Sequence, residues 1–115
     1  MAPLDPLACR TPLVRPQLDD AGAAGLERLF AALADRHRLK VVNMLAQADG
    51  EAVCVCEFQA ALGLKQPTVS YHLKQLVDAG VVDREQRGRY AFYSLRPGAL
   101  EGIADLLRPR EALVG

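Results

Sequence analysis

Apolar side chains recur every three or four residues through much of the chain, which predicts a series of amphipathic helices. The first stripe follows Asp19 and Asp20, which can cap a helix, and consists of Leu26, Leu29, Phe30, Leu33 and Ala34. Asp35 can cap a second helix, which we expect to end near Gln47, with the apolar residues Leu39, Val42, Leu45 and Ala46.

A short third helix is predicted from about Val55 to Leu62, after a brief strand over residues 51–53. Its inward residues would be Phe58, Ala61 and Leu62, and Gly63 would end it in a tight turn.

A fourth helix is predicted over residues 67–79, because proline favours the first helical position, where its missing N–H is not needed. Gln66 would then be the cap. We expect the buried face to contain Val69, Leu73, Leu76 and Val77. The opposite face would present Thr68, Tyr71, Lys74, Gln75 and Asp78, with Ser70 and His72 nearer the edges.

Two extended runs, residues 81–86 and 90–95, surround Arg87, Gly88 and Arg89, which predicts a hairpin with a basic tip. A last helix would open at Pro97 and Gly98 and end at Pro109, with the apolar face Leu100, Ile103, Leu106 and Leu107. This order of elements predicts a mainly α fold with a β-hairpin wing, a winged helix-turn-helix.

The length of 115 residues suits one domain. We expect a winged helix-turn-helix DNA-binding and dimerisation domain over residues 19–110, a flexible proline-rich arm over residues 1–18 and a tail over residues 111–115. No apolar stretch approaches the roughly 20 residues of a membrane helix, and the N-terminus shows no secretory signal. The sequence therefore predicts a cytoplasmic protein without a membrane partner.

The 14 basic and 14 acidic side chains cancel, which excludes a uniformly basic protein. Residues 65–96 nevertheless carry six basic and three acidic side chains, and they contain the fourth helix and the hairpin. A helix-turn-helix reads double-stranded DNA by placing its second helix in the major groove. The candidate DNA contacts are therefore Gln66, Thr68, Ser70, Tyr71, His72, Lys74, Arg87 and Arg89.

The three cysteines, Cys9, Cys54 and Cys56, are an odd number, which argues against a disulfide framework. In a regular helix Cys54 and Cys56 would point nearly opposite ways, so they could share an ion only if the helix start is extended. Cys9 could add a third sulfur. Such a site selects soft ions over magnesium or calcium, and His37 and His72 are poor candidates for the fourth ligand of a structural zinc.

The segment VCVCEFQAALGLKQPTVSYHLKQLVDAGVVDREQRGRYAFYSL, residues 53–95, resembles the core of the ArsR/SmtB family of metal- and metalloid-sensing bacterial repressors. With LFAALADRHRLKVVNML before it, the resemblance covers roughly residues 24–108. It implies a homodimer that binds an operator and releases it when an inducer binds. In this family, helices near both termini form the contact between the two subunits of the dimer. This agrees with the apolar faces predicted for the first and last helices.

By this comparison, thiolates at Cys9, Cys54 and Cys56 imply trivalent arsenic or antimony as the inducer, and no cofactor is required. Cadmium or lead remains an alternative, with Glu57 or water completing the site, and a thiol-redox switch is another. The final helix contains no histidine, so the zinc site that other members carry there is not expected. We do not expect an enzyme, because Cys54 and Cys56 do not form the CxxC pattern of thioredoxin-like proteins.

Overall fold

The computed structural model describes residues 17–109, which form five helices and three strands. In chain order they are α1 (Asp20–Leu33), α2 (Arg36–Gln47), β1 (Val53–Cys54), α3 (Val55–Leu62), α4 (Gln66–Asp78), β2 (Val82–Arg87), β3 (Tyr90–Leu95) and α5 (Ala99–Leu107). This architecture confirms the predicted winged helix-turn-helix: α3 and α4 are its two helices, and β2 and β3 form the wing. Most of the predicted arm and the whole predicted tail lie outside the described residues.

The helix starts follow from local capping. The Asp19 carboxylate accepts a hydrogen bond from the Gly22 N–H at 2.8 Å. The Asp35 carboxylate accepts from His37 and Arg38 at 2.8 and 3.1 Å. Each bond satisfies an N–H that the first turn of a helix leaves free.

The helix-turn-helix corner differs slightly from the prediction. Gly63 ends α3 with φ 66°, a left-handed conformation that glycine adopts without steric cost. Helix α4 begins at Gln66, so Lys65 and not Gln66 occupies the cap position. The Lys65 side chain makes no capping bond, but its carbonyl accepts hydrogen bonds from Thr68 and Val69 at 3.1 Å.

The three strands form one antiparallel sheet in the order β1-β3-β2. In the wing, Val82 lies opposite Leu95 and Arg87 lies opposite Tyr90. Strand β1 lies at residues 53–54, later than the predicted 51–53, and places Cys54 opposite Phe92. The segment that carries Cys54 is therefore part of the same sheet as the wing.

The core lies where α2, α3 and α4 meet the sheet. Its fully buried side chains are Phe58, Leu45, Leu73, Leu76, Val41, Val69, Val81 and Val82. Five residues of the apolar stripes predicted for the first three helices are instead exposed: Phe30, Ala34, Leu39, Ala46 and Ala61. Of these, Leu39 and Ala61 line an open groove between α2 and α3. Val77 is half-buried, and Phe30 is 42% exposed.

Between residues 17 and 109, no helix combines the length and the apolar character that crossing a bilayer requires.

Candidate nucleic-acid interface and thiol pair

The polar face of α4 lies opposite its buried residues Val69, Leu73 and Leu76. Four of the predicted DNA contacts are exposed on this helix, and Ser70 is half-buried at its edge. Tyr71 is 57% exposed, and the Lys74 ammonium forms a salt bridge with Asp78 at 2.7 Å. The exposed four are Gln66, Thr68, Tyr71 and Lys74.

His72 does not belong to this face. It is only 7% exposed, and its Nδ1 lies 3.1 Å from Nη1 of Arg38 on α2. The prediction that His72 contacts DNA is therefore not retained. A signal was present in the sequence: positions 69, 72, 73 and 76 follow the i, i+3, i+4, i+7 spacing of a buried helical stripe.

The wing tip presents two arginines with different surroundings. Arg87 forms a salt bridge with Glu85 at 2.9 Å, and its guanidinium lies 4.7 Å from the centre of the Phe92 ring. Arg89 is exposed and forms no salt bridge with any residue in the described range. Arg89 is therefore the more available of the two for a phosphate.

A polar groove of about 370 Å³ joins the start of α4 to the wing. It brings together predicted contacts from both elements, because Gln66 and Ser70 line one side and Arg89 lines the other. Sequence reasoning missed two polar residues that also line it, Arg84 and Gln86. Their place in the alternating pattern of β2 was the available signal, since Arg84 and Gln86 share one face of the strand.

Cys54 is the N-cap residue of α3, with the extended conformation φ −67° and ψ 142°. Its sulfur accepts a hydrogen bond from the Cys56 N–H at 3.3 Å. The Glu57 carboxylate accepts in return from the Cys54 N–H at 3.3 Å, which completes a capping box. The helix start is thus extended at Cys54, which is the condition under which the sequence allowed two thiols to share an ion.

The two thiols differ in exposure and interact with each other. Cys54 is buried and Cys56 is exposed. A hydrogen bond with the Cys54 thiol raises the pKa of Cys56, and desolvation and the negative charges of Cys54 and Glu57 raise it further. A backbone hydrogen bond at Cys56 lowers the pKa but is the smallest of these effects. At neutral pH the Cys56 thiol is therefore less ionised than an ordinary cysteine.

Cys54 and Cys56 place two sulfurs at the start of α3. The described range does not add a third residue that would complete a metal site with them. Between residues 17 and 109, no three His, Cys, Asp or Glu side chains are grouped so that they could hold a metal ion. Cys9, the predicted third ligand, lies outside the described residues. The residue types nonetheless fit a soft ion, since thiolates favour such ions over hard cations.

Comparison with known proteins gives the family. The family model for bacterial regulatory proteins of the ArsR family matches residues 35–84. The arsenical resistance operon repressor of Bacillus subtilis is 35% identical over 77 residues, which cover 67% of this chain and 71% of that protein. The chain belongs to the ArsR family.

The chain is also similar to another curated regulator and to solved structures of transcriptional regulators. The arsenic resistance transcriptional regulator ArsR1 of Pseudomonas putida is 36% identical over 80 residues, 70% of this chain and 61% of that relative, so the chain spans about three fifths of it. The solved structure of HlyU from Vibrio cholerae matches with a TM-score of 0.66 and 27% identity, covering 77% of this chain and 94% of HlyU. The AntR antimony-specific transcriptional repressor matches with a TM-score of 0.65 and 25% identity, covering 92% and 90%.

Membership of the ArsR family confirms two predictions. The fold is that of winged helix-turn-helix regulators, and the protein is a transcriptional regulator and not an enzyme.

Proposed function

We propose that the protein is a repressor that binds operator DNA as a homodimer and releases it when arsenite or antimonite binds a thiolate site. Cys54 and Cys56 would supply two ligands and Cys9 the third. The observation that carries the proposal is the extended N-cap at Cys54, because it brings the two thiols together at the start of the helix-turn-helix. Relatives named for arsenical resistance and a neighbour named as antimony-specific support the choice of ion.

The DNA interface would consist of α4 and the wing. Thr68, Tyr71 and Lys74 are exposed on α4 for base and phosphate contacts. Gln66, Ser70 and the wing residues Arg87 and Arg89 would contact the backbone or an adjacent groove. These two elements lie in the one basic segment of a chain whose net charge is zero and whose remaining residues are net acidic, which supports placing the phosphates there.

A homodimer is supported by apolar surface on the first and last helices. Phe30 of α1 is 42% exposed, and Leu106 and Leu107 of α5 are 43% and 59% exposed. Burying these side chains across a two-fold axis would remove them from water. The same axis would present two copies of α4 to two half-sites about one turn of DNA apart.

The thiol pair has a direct physical connection to both DNA-reading elements. Cys54 pairs with Phe92 of β3, so it is hydrogen-bonded into the sheet that carries the wing. It also caps α3, whose far end leads through Gly63 into α4. An ion on the sulfurs would compete with the Cys56 N–H for Cys54 and alter the start of α3. A tenfold loss of operator affinity needs only about 1.4 kcal/mol of coupling between the sites.

The proposal is tested by fluorescence anisotropy of the reduced protein on labelled DNA from upstream of its own gene. Arsenite and antimonite are titrated first, then cadmium and lead, and then peroxide in metal-free buffer. We expect release at near-stoichiometric arsenite or antimonite. The Cys9→Ser variant measures the third ligand, and Gln59→Ala, a change at a half-buried residue of α3 that removes no thiol, is the control.

Other outcomes of this titration would change the proposed inducer or refute the repressor proposal. Release by cadmium or lead alone would keep the site and change the ion. Release by peroxide alone would replace the ion with thiol oxidation. Absence of DNA binding in every condition, including a sequence-scanning set of upstream fragments, would refute the repressor proposal itself.

A further inference from the structure

Arg38 joins three helices at the corner beneath the DNA-reading face. Its Nε donates to the Ala32 carbonyl, in the last turn of α1, at 2.6 Å. Its Nη1 lies 3.1 Å from Nδ1 of His72, in the middle of α4. Arg38 itself lies in the first turn of α2, which Asp35 caps. One guanidinium therefore ties α4 to the two helices that precede the helix-turn-helix.

This contact specifies the protonation state of His72. A guanidinium can only donate hydrogen bonds, so Nδ1 of His72 must accept, and the imidazole is neutral with its proton on Nε2. A proton added to Nδ1 would oppose the N–H of Arg38 and place a second positive charge 3.1 Å away. The contact that anchors α4 would then become repulsive.

The surroundings of His72 favour the neutral form. Burial is the main cause that lowers the pKa of His72, and the positive Arg38 and His37 lower it further, whereas Asp35, 3.9 Å away, acts in the opposite direction. The His37 ring from α2 lies 5.5 Å from the His72 ring, and the Tyr71 ring of α4 lies 5.4 Å away. Two further charged residues, Arg28 of α1 and Asp78 of α4, line a groove between α1 and α4.

We propose that His72 and Arg38 are positioning residues that hold α4 in its DNA-reading orientation while His72 is neutral, so that acidification weakens operator binding. His72 lies between Tyr71 and Leu73, one residue on the exposed face and one fully buried. A shift of α4 at this anchor moves the residues that contact DNA. The inference rests on the proposed operator binding. It makes pH a second factor, beside the inducer, that controls this binding.

The expected change of operator affinity with pH is opposite to the change that the overall charge of the protein would produce. Acid adds positive charge to a protein, which by itself strengthens attraction to phosphates. Here one proton taken up by His72 must be released again for α4 to dock. Because the pKa of His72 lies below its ordinary value of 6.5, one linked proton raises the operator dissociation constant by at most about tenfold from pH 7.5 to 5.5, and we expect a rise within that limit.

The test measures operator affinity at pH 7.5 and pH 5.5 for three proteins, with circular dichroism confirming that each is folded at both values. In His72→Asn the amide oxygen can replace Nδ1 as the acceptor for Arg38 but does not titrate, so we expect binding at pH 7.5 and no weakening at pH 5.5. The matched control is His37→Asn, because His37 is the other histidine of the chain and does not bond to Arg38. It should still weaken in acid, and at a higher pH than the parent protein, because His37 is one of the groups that lower the pKa of His72.

The outcomes separate this inference from the proposed function. Binding at pH 7.5 that does not weaken in acid, or an equal acid response in His72→Asn, overturns the proton switch and leaves the repressor intact. A protein that binds no operator at pH 7.5 fails as a repressor instead. Nitrogen NMR of the imidazoles tests the geometry without DNA or mutation: a proton on Nε2 of His72 at neutral pH is expected, and a proton on Nδ1 would refute it.

Discussion

Position 54 permits a perturbation that separates folding from sensing. The Cys54 sulfur accepts the hydrogen bond that caps α3, and the same sulfur is the proposed ligand of the inducer. Serine keeps a capping oxygen but removes the soft ligand. Alanine removes both, so the pair Cys54→Ser and Cys54→Ala isolates the two roles.

The structure supplies the expected magnitudes. Removing an N-cap acceptor costs about 0.5–2 kcal/mol of stability, and Cys54 is also buried at 8% exposure, so alanine additionally leaves a small void. We therefore expect Cys54→Ala to lose about 1–2 kcal/mol. The serine hydroxyl can accept the same hydrogen bond from the Cys56 N–H. The free energy of unfolding of Cys54→Ser should therefore stay within about 0.5 kcal/mol of that of the parent protein.

Two assays are needed on the same preparations. Urea unfolding followed by circular dichroism gives the free energy of unfolding, at one fixed protein concentration because a dimer's stability depends on it. Anisotropy on operator DNA with arsenite gives release. We expect both variants to bind DNA and neither to release it.

The results can contradict the reasoning in two separate ways. If Cys54→Ser is less stable than Cys54→Ala, the capping role of position 54 is wrong. If Cys54→Ser still releases DNA at the arsenite concentration that acts on the parent protein, the sulfur is not the ligand, whatever the unfolding data show.

Three further outcomes are expected. Phe58→Ala should lower the free energy of unfolding by about 3–5 kcal/mol in urea titrations, because the ring is fully buried; a loss below about 1 kcal/mol would contradict this. Arg89→Ala should reduce the salt dependence of operator affinity by about one phosphate contact and weaken binding more than Arg87→Ala, since Arg87 is already paired with Glu85; the reverse order would reject this view of the wing. Leu107→Glu should shift a dimer towards monomer in analytical ultracentrifugation, and an unchanged mass would remove α5 from the interface.

The elements that the sequence predicted well are those governed by neighbours in the chain. Asp35 caps α2 because its carboxylate reaches N–H groups two and three residues ahead. Gly63 ends α3 because its own backbone permits the left-handed turn. Such signals depend on a few consecutive residues, so no knowledge of tertiary packing is required to read them.

The errors arose where another element decides the outcome. The burial of His72 could have been inferred from its place in the apolar stripe of α4, but its bond to Arg38, from a different helix, could not. Leu39 satisfies helical periodicity but faces an open groove between α2 and α3, which depends on how the two helices pack. For the thiols, the sequence could state only the condition, an extended backbone at Cys54, and the sheet pairing with Phe92 supplies it.

The cap at α3 also has an evolutionary consequence. Serine, aspartate and asparagine are strong N-caps, so selection for stability alone would favour one of them at position 54. A thiol there exchanges some helix stability for chemical softness. Under the proposed function, a lineage that no longer encounters the inducer could therefore replace Cys54 with serine in a single substitution. The variant would keep its fold and its affinity for DNA but would no longer be released by the inducer.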